Sequence, residues 1–341
     1  IICPGFVNAH CHVELSHLKG IIPEDTGLVG FVKQIGQQRN QFSIEAIQDA
    51  ITQAYHTMKA NGIIAVGDIA NTTDTLFART KAAMHVYTFV ESMGFIPEAA
   101  SKRFDYSKSI WNAFQSKSQS TSDYTLRQSI VPHAPYSVSK SLLELIDNFD
   151  ANHLLSIHNQ ESQAETDYYY DKSGAMNELF AFLGIQENAF QAPKMRSLAY
   201  ILQHLVHPKP LILVHNTFTN AEDITAIHQY QATLHFCLCP NANWYIERKL
   251  PDVNLLIESG VNICLGTDSL ASNHNLDILS EIRRINTVFP EIEMELLLRY
   301  ACINGAKALQ MDNLIGTFVP KKKPGINCIS NDYLNVKVLI K

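Results

Sequence analysis

No stretch of this 341-residue chain reaches the ~18 uncharged apolar residues that a membrane-spanning helix needs, so no membrane partner is expected. Basic charge is in deficit as well: 27 Lys and Arg stand against 33 Asp and Glu, for a net charge of −6. That balance argues against a nucleic-acid partner. The one basic run, Lys321-Lys322-Lys323, precedes Pro324-Gly325 and reads as a solvated turn. The seven cysteines (3, 11, 237, 239, 264, 302 and 328) include no Cys-x-x-Cys pair. An odd count in a chain this long fits buried free thiols in a reducing compartment. Cys237 and Cys239, two apart on a predicted strand, read as small apolar core residues. No signal peptide is visible, and a cytoplasmic protein is expected.

Also missing is any Gly-x-Gly-x-x-Gly turn after a predicted strand, which counts against a doubly wound dinucleotide-binding sheet. What is present is a regular alternation. Short β-rich runs fall at 6–12, 63–69, 85–91, 127–133, 154–159, 211–216, 233–239 and 262–268. Helical periodicity lies between them at 44–60 (apolar at 44, 47, 51, 54 and 58), 140–149, 221–230 and 275–287, with a longer run at 291–309 after the last strand. Eight near-continuously apolar strands, each followed by a helix, predict an α/β fold, the closed (β/α)8 TIM barrel. Residues 311–341 differ, with Gly316, Pro320, Pro324-Gly325 and the run 336–340. They predict short strands outside the barrel. The expected division is a barrel over 1–310 and, over 311–341, the C-terminal part of a small β-sandwich whose N-terminal strands are absent from the chain.

In that fold the chemistry sits where the strands end. The opening stretch, Pro4-Gly5-Phe6-Val7-Asn8-Ala9-His10-Cys11-His12, puts two histidines on one side of an extended strand, since side chains alternate. Neutral imidazoles are the commonest side-chain ligands for zinc and similar ions. His158 lies at the end of the fifth predicted strand with Glu161 just past it, His215 at the end of the sixth and Asp268 at the end of the eighth. Four histidines and a carboxylate thus fall at four strand ends, and three nitrogens with an aspartate suit one divalent ion with a position left open for water. Zinc is the first choice; iron or manganese fits the same ligands.

Those segments, with Val131-Pro132-His133-Ala134-Pro135-Tyr136-Ser137, Gly266-Thr267-Asp268-Ser269 and Leu238-Cys239-Pro240-Asn241-Ala242-Asn243, resemble the amidohydrolase superfamily. The similarity is to the branch holding methylthioadenosine/S-adenosylhomocysteine, aminodeoxyfutalosine and guanine deaminases and triazine chlorohydrolases. The resemblance implies His10, His12, His158 and Asp268 as metal ligands and assigns His215 to the attacking water. Two-metal members carry a bridging lysine at the end of strand four; here His133-Ala134-Pro135 stands there, so one metal is implied. The implied chemistry has Asp268 accept the proton of a metal-activated water that His215 orients. Glu161 protonates a ring nitrogen beside the amino-bearing carbon, which requires a carboxyl whose pKa is raised in a dry pocket. Cytidine-type zinc deaminases are excluded: His12-Val13-Glu14 matches half of their signature, but no Pro-Cys-x-x-Cys exists.

The resemblance places a substrate-binding histidine at His133. Trp244 could form an apolar wall for a ring, Ser269 lies beside the metal aspartate, and Arg39 could grip a substrate carboxylate through its fork of donors. Tyr168-Tyr169-Tyr170 reads as packing. The expected function is hydrolytic deamination of an adenine-type ring in a 5′-modified adenosine, with aminodeoxyfutalosine, S-adenosylhomocysteine and methylthioadenosine as candidates. Guanine deamination and triazine dechlorination are the enzymatic alternatives, and a silent barrel scaffold the non-enzymatic one. The partner is a small-molecule substrate; a homodimer is compatible.

Overall fold

The computed structural model describes residues 1–118, 123–186 and 190–340. Its strands are β1 (Ile2–Cys3), β2 (Phe6–Cys11), β3 (Ile63–Ala70), β4 (His85–Ser92), β5 (Leu126–Pro132), β6 (Leu155–Asn159), β7 (Leu211–His215), β8 (Leu234–Leu238), β9 (Asn262–Leu265), β10 (Ile326–Ile329) and β11 (Val336–Ile340). Strands β2 to β5 pair in parallel in sequence order, and so do β6 to β9. The halves join at two seams. His158 N donates to His133 O at 2.9 Å between β5 and β6. Thr267 N and Asp268 N both donate to His10 O, at 3.0 and 3.1 Å, which closes β9 onto β2. The result is the (β/α)8 barrel expected from the alternation.

The strands are almost wholly buried because both faces are covered, one by helices and one by the barrel's own interior. Helices start where a polar cap is available. Ser43 accepts from Ala46 N, Ser139 from Leu142 N and Asn220 from Asp223 N. The helix predicted from 275 begins instead at Ile278, because Asp277 caps it through Leu279 N. The strand predicted over 262–268 stops at Leu265, where the chain leaves to share His10 O. The long helix predicted over 291–309 starts later, at Met294, and passes through a π-turn at Tyr300–Asn304 before Gly305–Ala308. A methyl group at Gly305 would stand 2.8 Å from Val7 Cβ, so glycine lets this segment lie against β2.

Gly67 in β3 is a tighter case, since an added Cβ would meet Ala9 O of β2 at 2.3 Å. Gly67→Ala must push two paired strands apart. Overpacking of a well-filled core costs about 1–3 kcal/mol, and the upper end is expected here because the obstacle is backbone. Urea unfolding of the variant would measure it; an unchanged midpoint would contradict this register.

The main core lies between the barrel and its helices. A second apolar cluster, with Leu15, Leu28, Phe31, Phe95, Tyr168, Phe180 and Tyr245, is drawn from segments that follow β2, β4, β6 and β8. It gathers on the side where the strands end. The C-terminal strands β10 and β11 form an antiparallel sheet with β1 in register Ile2 to Cys328 and Cys3 to Asn327. Thus Ile2–Cys3 supplies a partner strand that the sequence pattern did not reveal. No helix among the described residues is long and apolar enough to cross a membrane.

Candidate active site

His10 lies within β2, His12 one residue past its end, His158 within β6, and His215 is the last residue of β7. Asp268 follows β9 by three residues. Barrel closure brings them together. Nε2 atoms of His10 and His12 each lie 3.5 Å from Asp268 Oδ1, and Nε2 of His12 is 3.2 Å from Nε2 of His158. His10, His158, His215 and Asp268 each offer a ligand atom within 4.8 Å of the others. His215 and Asp268 occupy left-handed backbone, with φ of 74° and 55°. Non-glycine residues are uncommon there, and such strain gathers at functional sites. One turn ends β7 and the other lies three residues beyond β9.

The donor set fits a divalent cation. Both ring nitrogens of His10 and Nδ1 of His12 are buried with no hydrogen-bond partner, and such orphaned buried groups need an explanation. His158 donates from Nδ1 to His133 O at 2.8 Å, leaving its Nε2 lone pair directed at His12. Burial lowers all four imidazole pKa values, that of His12 to about 3. They are therefore neutral at pH 7, the form that ligates. Burial alone would raise the pKa of Asp268, but His10, His12 and His215 together outweigh it and hold the carboxyl well below the usual range. Three neutral nitrogens and one carboxylate oxygen make a site for one divalent metal. Metal at 1,000 times its dissociation constant stabilises a protein by about 4 kcal/mol. Chelator-stripped protein is expected to regain several degrees of unfolding midpoint when zinc is restored; an unmoved midpoint would argue against a bound ion.

Glu161 stands two residues beyond β6 and its Oε1 is 3.5 Å from His215 Nε2. Burial pushes its carboxyl well above the usual range, with the charges of Asp268 and Glu247 adding to the effect. His215 Nδ1 donates to Asn243 Oδ1 at 2.8 Å, so its Nε2 faces Glu161 as an acceptor.

A model of the Amidohydrolase family matches residues 1–340. The chain belongs to this family. It is 27% identical over 325 residues to an adenosine deaminase of Helicobacter pylori, covering 92% of this chain and 75% of that protein. Among solved structures it resembles the Helicobacter pylori aminofutalosine deaminase in complex with methylthio-coformycin. That match has a TM-score of 0.81 and 24% identity, and covers 96% of this chain and 78% of the other. An adenosine deaminase from Xanthomonas campestris with bound zinc matches with TM-score 0.76 and 22% identity, over 96% and 72% of the two chains.

In this family member the remaining sequence-derived residues fall at different distances from the centre. His133 is half-buried beside it, its ring centroid 4.8 Å from that of His158 and its Nδ1 2.7 Å from Ser137 Oγ. Burial lowers its pKa to about 4. Ser269 is buried, with its Oγ 3.1 Å from Ser272 Oγ, and Ser272 donates to Asp268 Oδ2 at 2.5 Å. Arg39 sits at the end of the helix Gly27–Gln38 and reaches Glu14 Oε1 at 3.4 Å. Glu14 is buried, and its other oxygen accepts from Asn71 N, Thr72 N and Thr72 Oγ1. Trp244 lies in the helix Pro240–Glu247, and its ring faces the guanidinium groups of Arg284 and Arg248 at 5.4 and 5.9 Å. Tyr168 and Tyr169 are buried packing residues; Tyr170 is exposed.

Glu91 escaped the sequence reading. Its Oε1 is 3.3 Å from His158 Nδ1, and its Oε2 accepts from Asn71 Nδ2 at 3.0 Å. Burial raises its pKa to about 8 against the pull of the Asn71 hydrogen bond. It ends the predicted strand 85–91, so the criterion that selected His215 would have found it. Asn243 lay inside a quoted motif but had no partner assigned.

Proposed function

We propose that this protein is a zinc-dependent hydrolase that removes the amino group from an adenine-type ring, with a 5′-modified adenosine as substrate. The observation that carries the reading is the buried carboxyl of Glu161, 3.5 Å from His215 Nε2, next to the converged donors of His10, His12, His158 and Asp268. His10, His12, His158 and Asp268 would hold the ion. A divalent cation there supplies hydroxide at neutral pH, since it lowers the pKa of water from 15.7 to about 7.

The chain's own groups then handle protons. Glu161, its pKa raised by burial, would donate to the ring nitrogen next to the amino-bearing carbon and make that carbon electrophilic. His215 presents Nε2 to the attacking water because Asn243 fixes its other nitrogen as the donor. Asp268 would take the water's proton and pass it to departing ammonia, and the hydroxyl left on the carbon would return its proton to the Glu161 carboxylate as the carbonyl forms. The likeness to an adenosine deaminase and to a structure binding methylthio-coformycin supports an adenine-type ring, and the zinc-bound relative supports zinc.

Ammonia release across adenosine, methylthioadenosine, S-adenosylhomocysteine, aminodeoxyfutalosine, guanine and a chlorotriazine is the direct test. Turnover is expected for adenine-bearing nucleosides and not for guanine or the triazine. Silence across the panel with metal-loaded protein would remove the deaminase reading.

A further inference from the structure

Directly before Glu161, Gln160 is fully buried with a left-handed φ of 48°. Every polar atom it owns is engaged. Its N donates to Glu165 Oε1 at 3.2 Å, and its carbonyl accepts from Phe218 N at 2.9 Å. Its side-chain Nε2 donates to Asp223 Oδ1 at 2.6 Å, while Oε1 accepts from Thr219 Oγ1 at 2.6 Å. Asp223, itself buried, is gripped by Arg196 through Nε at 2.9 Å and Nη2 at 2.8 Å, and Arg196 also donates to Phe218 O. Glu165 is braced by Ser197 Oγ. The network therefore ties the loop carrying Glu161 to the loop that follows His215.

We propose that Gln160 is a positioning residue: its amide, clamped between Thr219 and the Asp223–Arg196 pair, locks the left-handed turn that sets Glu161 against His215. A left-handed non-glycine residue persists only where its surroundings over-determine it, and hydrogen bonds from Glu165, Phe218, Thr219 and Asp223 supply that here. The partners are buried and hydrogen-bonded at both ends, so the turn has one register. Loss of the clamp frees the carboxyl to move by the ångström that separates a productive proton transfer from an unproductive one. A displacement of that size costs up to about 10²-fold in rate. The proposal rests on the assignment of Glu161 and His215 as reacting groups.

Gln160→Met keeps the length and volume of the side chain and removes its hydrogen bonds. Gln160→Gly removes the amide but relieves the backbone strain. Thr219→Val removes one donor and is the mildest change. Each would be measured for kcat, KM, metal content, unfolding midpoint and affinity for a coformycin-type transition-state analogue. The expected result is a 10- to 100-fold fall in kcat for both position-160 variants and a smaller fall for Thr219→Val. KM should stay within about threefold and metal at one equivalent. Analogue affinity should fall by the same factor as kcat/KM, because only transition-state interactions are lost. Gln160→Gly separates causes: full activity in that variant would show that only backbone conformation mattered and would overturn the proposal. So would kcat within twofold of the parent in Gln160→Met, or losses that merely track metal loss and lowered unfolding midpoint across all three. If the parent turns over and Glu161→Gln is inert while these variants are normal, the positioning claim alone falls. An inactive metal-loaded parent would sink the functional reading, and this proposal with it.

Discussion

Glu161→Gln is expected to lower kcat at least about 100-fold, within the 10²–10⁴-fold that positioned general acids contribute. The amide has the shape of the acid but no transferable carboxyl proton. The parent should show the cause in its pH profile. Burial raises the Glu161 pKa, so the proton-bearing form persists above the usual carboxyl range and kcat should fall as pH rises through that raised value. Glu161→Gln should lack this alkaline limb. Stability should move the other way. A carboxyl with a raised folded-state pKa contributes stability that is fully present below its ordinary value near 4.5 and is lost as pH rises through the folded value. Gln, neutral throughout, incurs no such loss, so the variant should unfold no more readily than the parent at pH 8. A variant that keeps its activity, or that is inactive only because it is unfolded, would contradict the role.

Asp268→Asn should be the more damaging change, about 10³-fold or more in kcat. In the proposed mechanism the carboxylate has two tasks, and an amide would do neither well. It supplies the one anionic donor among three imidazoles, and it accepts a proton that an amide oxygen will not hold. Two measurements separate these tasks. Metal content should fall at low metal concentration and recover in excess metal. Turnover should not recover with it. Full activity on metal reloading would confine Asp268 to holding the ion and remove its part in proton transfer. The Ser272 hydrogen bond to Oδ2 has an acceptor in either residue, so gross loss of fold is not expected.

Periodicity made the barrel legible, because parallel strands covered on both faces must be continuously apolar and each must be followed by a covering helix. The same rule put His10, His12, His158, His215 and Asp268 at strand ends, and those residues do converge. Sequence alone misjudged details set by contacts remote in the chain. Asp268 was placed on a strand, yet the strand stops at Leu265 because His10 O, some 258 residues earlier, captures the next amides. Nor did any local pattern show that Arg39, read as a possible grip for a substrate carboxylate, stands against Glu14, whose buried carboxylate is held by the backbone at 71 and 72.

By itself, then, the order of residue types determined the architecture and the chemical kinds of group at its mouth, because local pattern dictates strand and helix and the barrel dictates where strands end. Only tertiary structure decided which of those groups share an atom's breadth of space, which nitrogen of each ring is free, and which carboxyl keeps its proton. Those properties arise from closure of β9 onto β2 and from exclusion of water around the converged side chains, and no run of neighbouring residues encodes either.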